Sequence, residues 1–238
     1  MGHRRVGLVR SAKEIVEMLA PDIPVIISRP QNAARAAKWF SENFPGEVLY
    51  AVKANNDPKI SQTLRANGVA NFDVASLAEI EACARLPKAR LYLMNPVKSR
   101  KLIAAAYHDF GVRGFALDSE QELYKLCGET GNSSDLNLFV RLAVANTDSA
   151  IPLDRKYGAL PEEAIRLLRL ARRASAKLGI CFHVGSQNSD PCSYRNALKA
   201  AWKVYNEAGV DIEVLDVGGG FPAAHPGTPT TMIQSQIQ

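Results

Sequence analysis

No stretch of this 238-residue chain approaches the ~20 consecutive apolar residues that a membrane-spanning helix needs. A membrane partner is therefore not expected. The N-terminus, MGHRRVGLVRS, carries basic residues but no apolar core of a secretory leader, so no export signal is read there. Cysteine is scarce, and Cys83, Cys127, Cys181 and Cys192 fall in neither C-x-x-C nor metal-ligand spacing. That excludes a disulfide framework and a bound metal, and it points to reduced thiols in a cytoplasmic protein. The net charge of +5 comes without aromatic interleaving, since Arg166, Arg169, Arg172, Arg173 and Lys177 are spread along one helical stretch. This is the pattern of a solvated face, and no nucleic-acid partner is expected. Internal repeats and low-complexity blocks are also missing.

What remains is an ordinary α/β composition, 47% hydrophobic, with enough length for one large core. Short apolar runs at Val48–Val52, Asn71–Ala75, Arg90–Met94, Val112–Leu117, Leu138–Val144, Ile180–Val184 and Val214–Val217 read as strands. Helical patterns alternate with them at Leu77–Arg85, Ser99–Phe110, Ser119–Gly128, Pro161–Leu178 and Pro191–Ala208. Strands alternating with helices predict parallel β/α units, and at this length a TIM barrel one strand short of its eight. Ahead of the first barrel strand, a capped helix is predicted over Ser11–Leu19, a strand over Pro24–Ser28 and a helix over Asn32–Phe44.

Three strand ends carry the chemistry. Lys53 closes the run EVLYAVKAN, where the fold itself needs no ammonium; the plain alternative is a lysine snorkelling to water. The run GICFHVGSQ ends in His183, Gly185 and Ser186, and IEVLDVGGGFP opens into Gly218, Gly219 and Gly220. Three consecutive glycines leave a turn without Cβ atoms, so backbone N–H groups can close around an oxyanion such as phosphate, although a tight turn alone explains them equally well. A lysine nucleophile, a flat imidazole, a hydroxyl and an anion cradle together suggest pyridoxal 5'-phosphate as cofactor.

The segments YAVKAN (50–55), FDVAS followed by Glu79, NPVK (95–98), FALDSEQEL (115–123), HVGSQ (183–187) and DVGGGFP (216–222) stand in the order and spacing of the fold-type III decarboxylases of ornithine, diaminopimelate and arginine. The chain resembles this family over about Val25 to Pro226, most of all its bacterial ornithine decarboxylases. The resemblance implies an α/β barrel of the alanine racemase/ornithine decarboxylase type, incomplete at about seven strands. It implies that Lys53 attaches the cofactor and His183 stacks on its ring, these two being catalytic. Ser186 and Gly220 match phosphate ligands, with Gly218 and Gly219 beside them. Asp73, Glu79 and Arg141 match pocket residues at the cofactor's polar edge, where their plainer readings are a helix N-terminal acid, a solvated helix residue and a strand-end charge.

The implied function is decarboxylation of a basic amino acid, L-ornithine to putrescine in polyamine biosynthesis, by a homodimer acting on a small-molecule substrate. A non-catalytic relative comparable to antizyme inhibitors and a diaminopimelate or lysine decarboxylase are the alternatives. A small single-domain carrier of pyridoxal phosphate or an alanine racemase shares the barrel but not FDVAS, NPVK or HVGSQ. Past the glycine loop the pattern departs from the family, with no Glu-Pro-Gly-Arg strand and no C-terminal β-domain carrying a Cys-Asp pair and a tyrosine. The expected plan is thus residues 1–30 as a segment that would pack with such a domain, 31–226 as a partial cofactor-binding barrel, and 227–238 as a tail. A chain of these residues alone is expected to hold the cofactor with little or no turnover.

Overall fold

The computed structural model describes residues 11–144 and 156–222, so the tail and the first ten residues lie outside the description. Seven strands form one sheet in strict chain order: β1 (Leu49–Ala51), β2 (Asn71–Asp73), β3 (Arg90–Leu93), β4 (Gly114–Leu117), β5 (Asn137–Arg141), β6 (Lys177–Cys181) and β7 (Val214–Asp216). Every neighbouring pair is parallel, for example Ala51 beside Asp73 and Arg141 beside Cys181. The strands curl into an incomplete barrel with β1 and β7 as its edges. This is the expected fold class.

The helices are α1 (Ala12–Leu19), α2 (Pro30–Asn43), α3 (Pro58–Ala66), α4 (Leu77–Ala84), α5 (Arg100–Ala104), α6 (Glu120–Glu129), α7 (Pro161–Arg172) and α8 (Pro191–Ala208). Local sequence starts most of them. Ser11, Ser76, Ser99 and Ser119 accept the N–H three residues on at 3.1–3.3 Å, each bond satisfying one of the donors that a helix start leaves open. Pro30, Pro58, Pro161 and Pro191 occupy first-turn positions, where a missing N–H costs nothing.

The main core lies between the sheet and its helices, around Phe72, Ile80, Phe115, Leu126, Leu138 and Leu168. A second, smaller cluster fills the inside of the barrel, with Met94, Ala116, Phe139 and Cys181 packed against Leu49 and Tyr92. Side chains alternate along a strand, so residues two apart share a face. Arg141 therefore faces inward with Phe139, and the next inward position after Cys181 is His183.

Three expectations change. The segment Pro24–Ser28 is not a strand; it runs free of any ladder among the described residues, with Ile26 95% exposed, because no second strand lies beside it to take its hydrogen bonds. Helix α7 stops at Arg172 rather than Leu178. There the guanidinium binds the carbonyls of Ser175 and Ala176, and Leu178 is needed opposite Leu138 in the sheet. The predicted Ser99–Phe110 helix turns into a π-helical turn at Ala105–Asp109. Helix α3, which follows the Asn56-Asp57-Pro58 turn, was not expected; Asp57 caps it through the N–H of Lys59.

At the β7 edge apolar surface is open to solvent, as an incomplete barrel requires. Leu198, Trp202 and Tyr205 of α8 and Val214 and Leu215 of β7 line a groove of about 420 Å³, with Trp202 65% exposed.

Candidate functional site

The predicted site residues lie at the C-terminal ends of strands or in the segments that follow, Glu79 in the first turn of α4, on the face where barrel enzymes of this type place their chemistry. β1 runs into a 3₁₀ turn at Val52–Ala54 that carries Lys53, whose side chain is exposed. A 3₁₀ turn at an edge strand leaves the ammonium in contact with water.

β2 ends in Asp73, which accepts the Met94 N–H through Oδ1 at 3.1 Å. Burial pushes its carboxyl up to about 6, against the lowering pull of the nearby Lys53 charge. The carboxylates of Asp216 and Glu79 add to the upward shift. Glu79 itself sits in the first turn of α4, where its Oε2 accepts the Ala75 N–H at 2.7 Å while Ser76 Oγ accepts the Glu79 N–H at 3.3 Å. Its carboxylate thus bonds the residue before the N-cap and fastens the loop behind Asp73.

Arg141 closes β5. Its guanidinium lies 5.4 Å from the ring of Tyr157, and its charge acts on both His183 and Asp216. His183 follows β6 and accepts the Gly185 N–H on Nδ1 at 3.0 Å, which leaves Nε2 as the protonated nitrogen of a neutral ring. Burial, reinforced by the charges of Arg141 and Lys53, holds its pKa down at about 4.

The glycine loop closes on this histidine. Gly218 and Gly220 adopt φ of +71° and +109°, and a Cβ at either would collide with a carbonyl oxygen, that of Phe182 or of Gly185. Only glycine meets both conditions. Gly219 lies against the imidazole, with space for a Cβ ending 3.2 Å from His183 Nε2. Gly218 donates to Asp216 Oδ1 at 2.8 Å, and Asn188 donates to the Gly220 carbonyl at 2.9 Å. Ser186, half-buried, is the residue after Gly185, so the 183–188 and 216–220 loops form one packed unit.

Sequence reasoning missed two residues here. Asp216 ends its strand as Asp73 does, and burial likewise pushes its carboxyl up. A carboxylate closing an apolar strand was the available signal, present in DVGGG but not singled out. Tyr194 reaches the loop from the first turn of α8, and nothing in its local sequence separates it from an ordinary core aromatic.

His183 gives a pH prediction. The unfolded imidazole titrates near its ordinary value of 6.5 and the folded one near 4, so between these pH values the unfolded state holds more protons. The contribution of His183 to stability is complete above about 6.5 and is lost as pH falls towards 4. Asp73, raised from 3.8 to about 6, works in the opposite sense, its contribution lost as pH rises through about 6. Denaturant unfolding of wild type and His183→Gln across this range isolates the histidine: the wild type should lose stability relative to the variant as pH drops. Parallel profiles would refute the assignment of a neutral, buried ring.

A family model described as the pyridoxal-binding domain of pyridoxal-dependent decarboxylases matches residues 31–237. The lysine/ornithine decarboxylase of Selenomonas ruminantium is 35% identical over 222 residues, 90% of this chain and 55% of that protein. A mutant of SrLDC in complex with PLP superposes with a TM-score of 0.84 at 32% identity, covering 96% of this chain and 62% of that one. The arginine decarboxylase of Paramecium bursaria Chlorella virus bound to agmatine gives a TM-score of 0.83 at 27% identity, covering 94% and 62%. The chain spans about half the length of the curated relatives it matches.

The residues present suit a pyridoxal phosphate group. The loop has no side chains at Gly218–Gly220, and among the described residues neither Gly219 nor Gly220 donates its N–H to a protein acceptor. Two free donors beside a neutral imidazole and within the field of Arg141 and Lys53 make a cradle for an anionic, flat ligand.

Proposed function

This chain belongs to the pyridoxal-dependent decarboxylase family, and from that premise we propose that it binds pyridoxal phosphate through Lys53 and serves the decarboxylation of a basic amino acid, L-ornithine to putrescine. The observation that carries the reading is the convergence of Lys53, Asp73, Arg141, His183 and the glycine loop at one end of one sheet. When bound, the cofactor supplies a ring that accepts the electron pair left behind by departing CO₂. The protein supplies the setting. His183, kept neutral, offers a flat face that is not strongly hydrated. Ser186 and the N–H groups of Gly219 and Gly220 hold the phosphate, and Lys53 supplies the amine that fixes the ring.

Asp73, Glu79 and Arg141 shape the polar edge. Asp73, shifted to about 6, is ionised at neutral pH yet can take a proton at modest cost. Arg141 balances the buried carboxylate of Asp216. Putrescine as product would make this an enzyme of polyamine biosynthesis.

The preference for ornithine rests on the NPVK segment and on relatives named for lysine and ornithine. Release of CO₂ from carboxyl-labelled ornithine, lysine and arginine tests it, measured on this chain and on this chain joined to the C-terminal half of the Selenomonas ruminantium relative. Ornithine should turn over fastest in the joined protein. Faster turnover of lysine or arginine would overturn the substrate assignment, and bound cofactor with no CO₂ from any of the three would overturn the enzymatic one.

A further inference from the structure

Tyr194 is buried in the first turn of α8, and its hydroxyl donates to the carbonyl of Gly219 at 3.0 Å. Its ring stacks on Phe221 at 5.1 Å and 18°, and Phe221 in turn meets Phe40 of α2 edge-on at 5.4 Å. An aromatic column thus runs from α2 through the end of the glycine loop to α8. We propose that Tyr194 is a positioning residue for the anion cradle, holding the Gly219–Gly220 peptide so that its N–H is aimed at the phosphate of the bound cofactor.

The argument is geometric. A trans peptide points its C=O and N–H in opposite directions, and the described residues contain no cis bond. Anchoring the Gly219 carbonyl to α8 therefore turns the Gly220 N–H away from that helix, where none of the described residues accepts it. Glycines at +71° and +109° have no side chains to hold a peptide plane in place, so an external bond must do it. The neighbouring contacts are otherwise engaged: Asn188 holds the Gly220 carbonyl and Asp216 the Gly218 N–H, and neither fixes the 219–220 plane from the carbonyl side. Tyr194 acts on the loop through the Gly219 carbonyl and stacks on Phe221, so its effect should fall on the phosphate side of the site.

This inference rests on the cofactor reading above, and the test separates the two. Affinities of the wild-type chain and Tyr194→Phe are measured by absorbance titration for pyridoxal phosphate and, separately, for pyridoxal, which lacks the phosphate. The variant keeps the stacked ring and removes only the hydroxyl. The ratio of the two affinities should drop about fivefold in the variant, the worth of one hydrogen bond, with pyridoxal affinity unchanged. An unchanged ratio overturns the role of Tyr194, and so does an equal loss for both ligands, the mark of general loosening. A wild type that fails to prefer the phosphorylated ligand overturns the cofactor reading and the inference with it. Should circular dichroism show Tyr194→Phe unfolded, Phe221→Leu, which frees the phenol from its stacked partner, is read by the same ratio.

Discussion

Lys98→Met is expected to destabilise the fold by about 3–5 kcal/mol, because it breaks a buried ion pair from one side. The Lys98 side chain is 0% exposed and that of Glu122 3%, with 3.0 Å between Nζ and Oε1. The ammonium also donates to the carbonyls of Asn95 and Pro96 and to that of Ala116 in β4, so one cation ties the β3–α5 loop to the neighbouring strand. Burial lowers the lysine's pKa, and the Glu122 carboxylate opposes that shift, which is the balance expected of a cation held in the interior by a partner. Methionine matches the stem but abandons three carbonyls and leaves the buried carboxylate, among the described residues, with its one remaining ion pair, to Lys125 through Oε2. Urea unfolding should show a lower midpoint at unchanged slope. The double variant Lys98→Met/Glu122→Gln should recover part of the loss, since the buried carboxylate charge that Lys98 balanced is then gone. A loss below about 1 kcal/mol would mean that water or a local rearrangement satisfies Glu122, against the 3% exposure.

The same lysine shows what the sequence conveyed and what it withheld. NPVK is recognisable as a segment, and it suggests a substrate branch; in the folded chain its lysine binds backbone and a helix carboxylate inside the protein. A lysine that reaches inward and one that reaches water read alike in one dimension, because a long aliphatic stem serves both. The seven strands were legible since each is a short apolar run bounded by turn residues, and parallel pairing followed from the helices between them. The end of α7 was not, because residues 173–176 contain no glycine or proline and the stop is made by Arg172 and by the demand of β6 for Leu178. Pro24–Ser28 has the composition of a strand, and composition cannot supply a neighbour. At the site, the glycines and strand-end charges were visible because their residue types are unusual where they stand. Tyr194 was invisible because its function lies in one hydroxyl direction, and Glu79 was read as a pocket residue where the fold first gives it a capping bond.

Borohydride reduction of the chain with pyridoxal phosphate, followed by peptide mapping, should place the pyridoxyl group on Lys53, and Lys53→Arg should abolish the label while leaving the circular dichroism spectrum intact. The competing lysines make this a demanding test. Lys98 is buried and already bound to three carbonyls and Glu122, so its amine is not available. Lys156 is the serious rival: it is exposed at the same end of the sheet, with Nζ 5.2 Å from the ring of Tyr157, the ring that also faces Arg141. Electrostatics separate the two. The charge of Lys53 acts on both Asp73 and His183, the carboxylate and imidazole of the candidate site, whereas that of Lys156 shifts neither. Lys53 also sits in the 3₁₀ turn that directly follows β1, at the same strand end as Asp73 of the neighbouring β2. Arginine keeps a positive charge beside Asp73, so that carboxylate should stay solvated by a cation and the fold should hold, but its guanidinium cannot act as the amine. A label on Lys156, or a label that survives in Lys53→Arg at undiminished yield, would move the attachment point to the other side of the barrel mouth and with it the assignment of every residue around the ring.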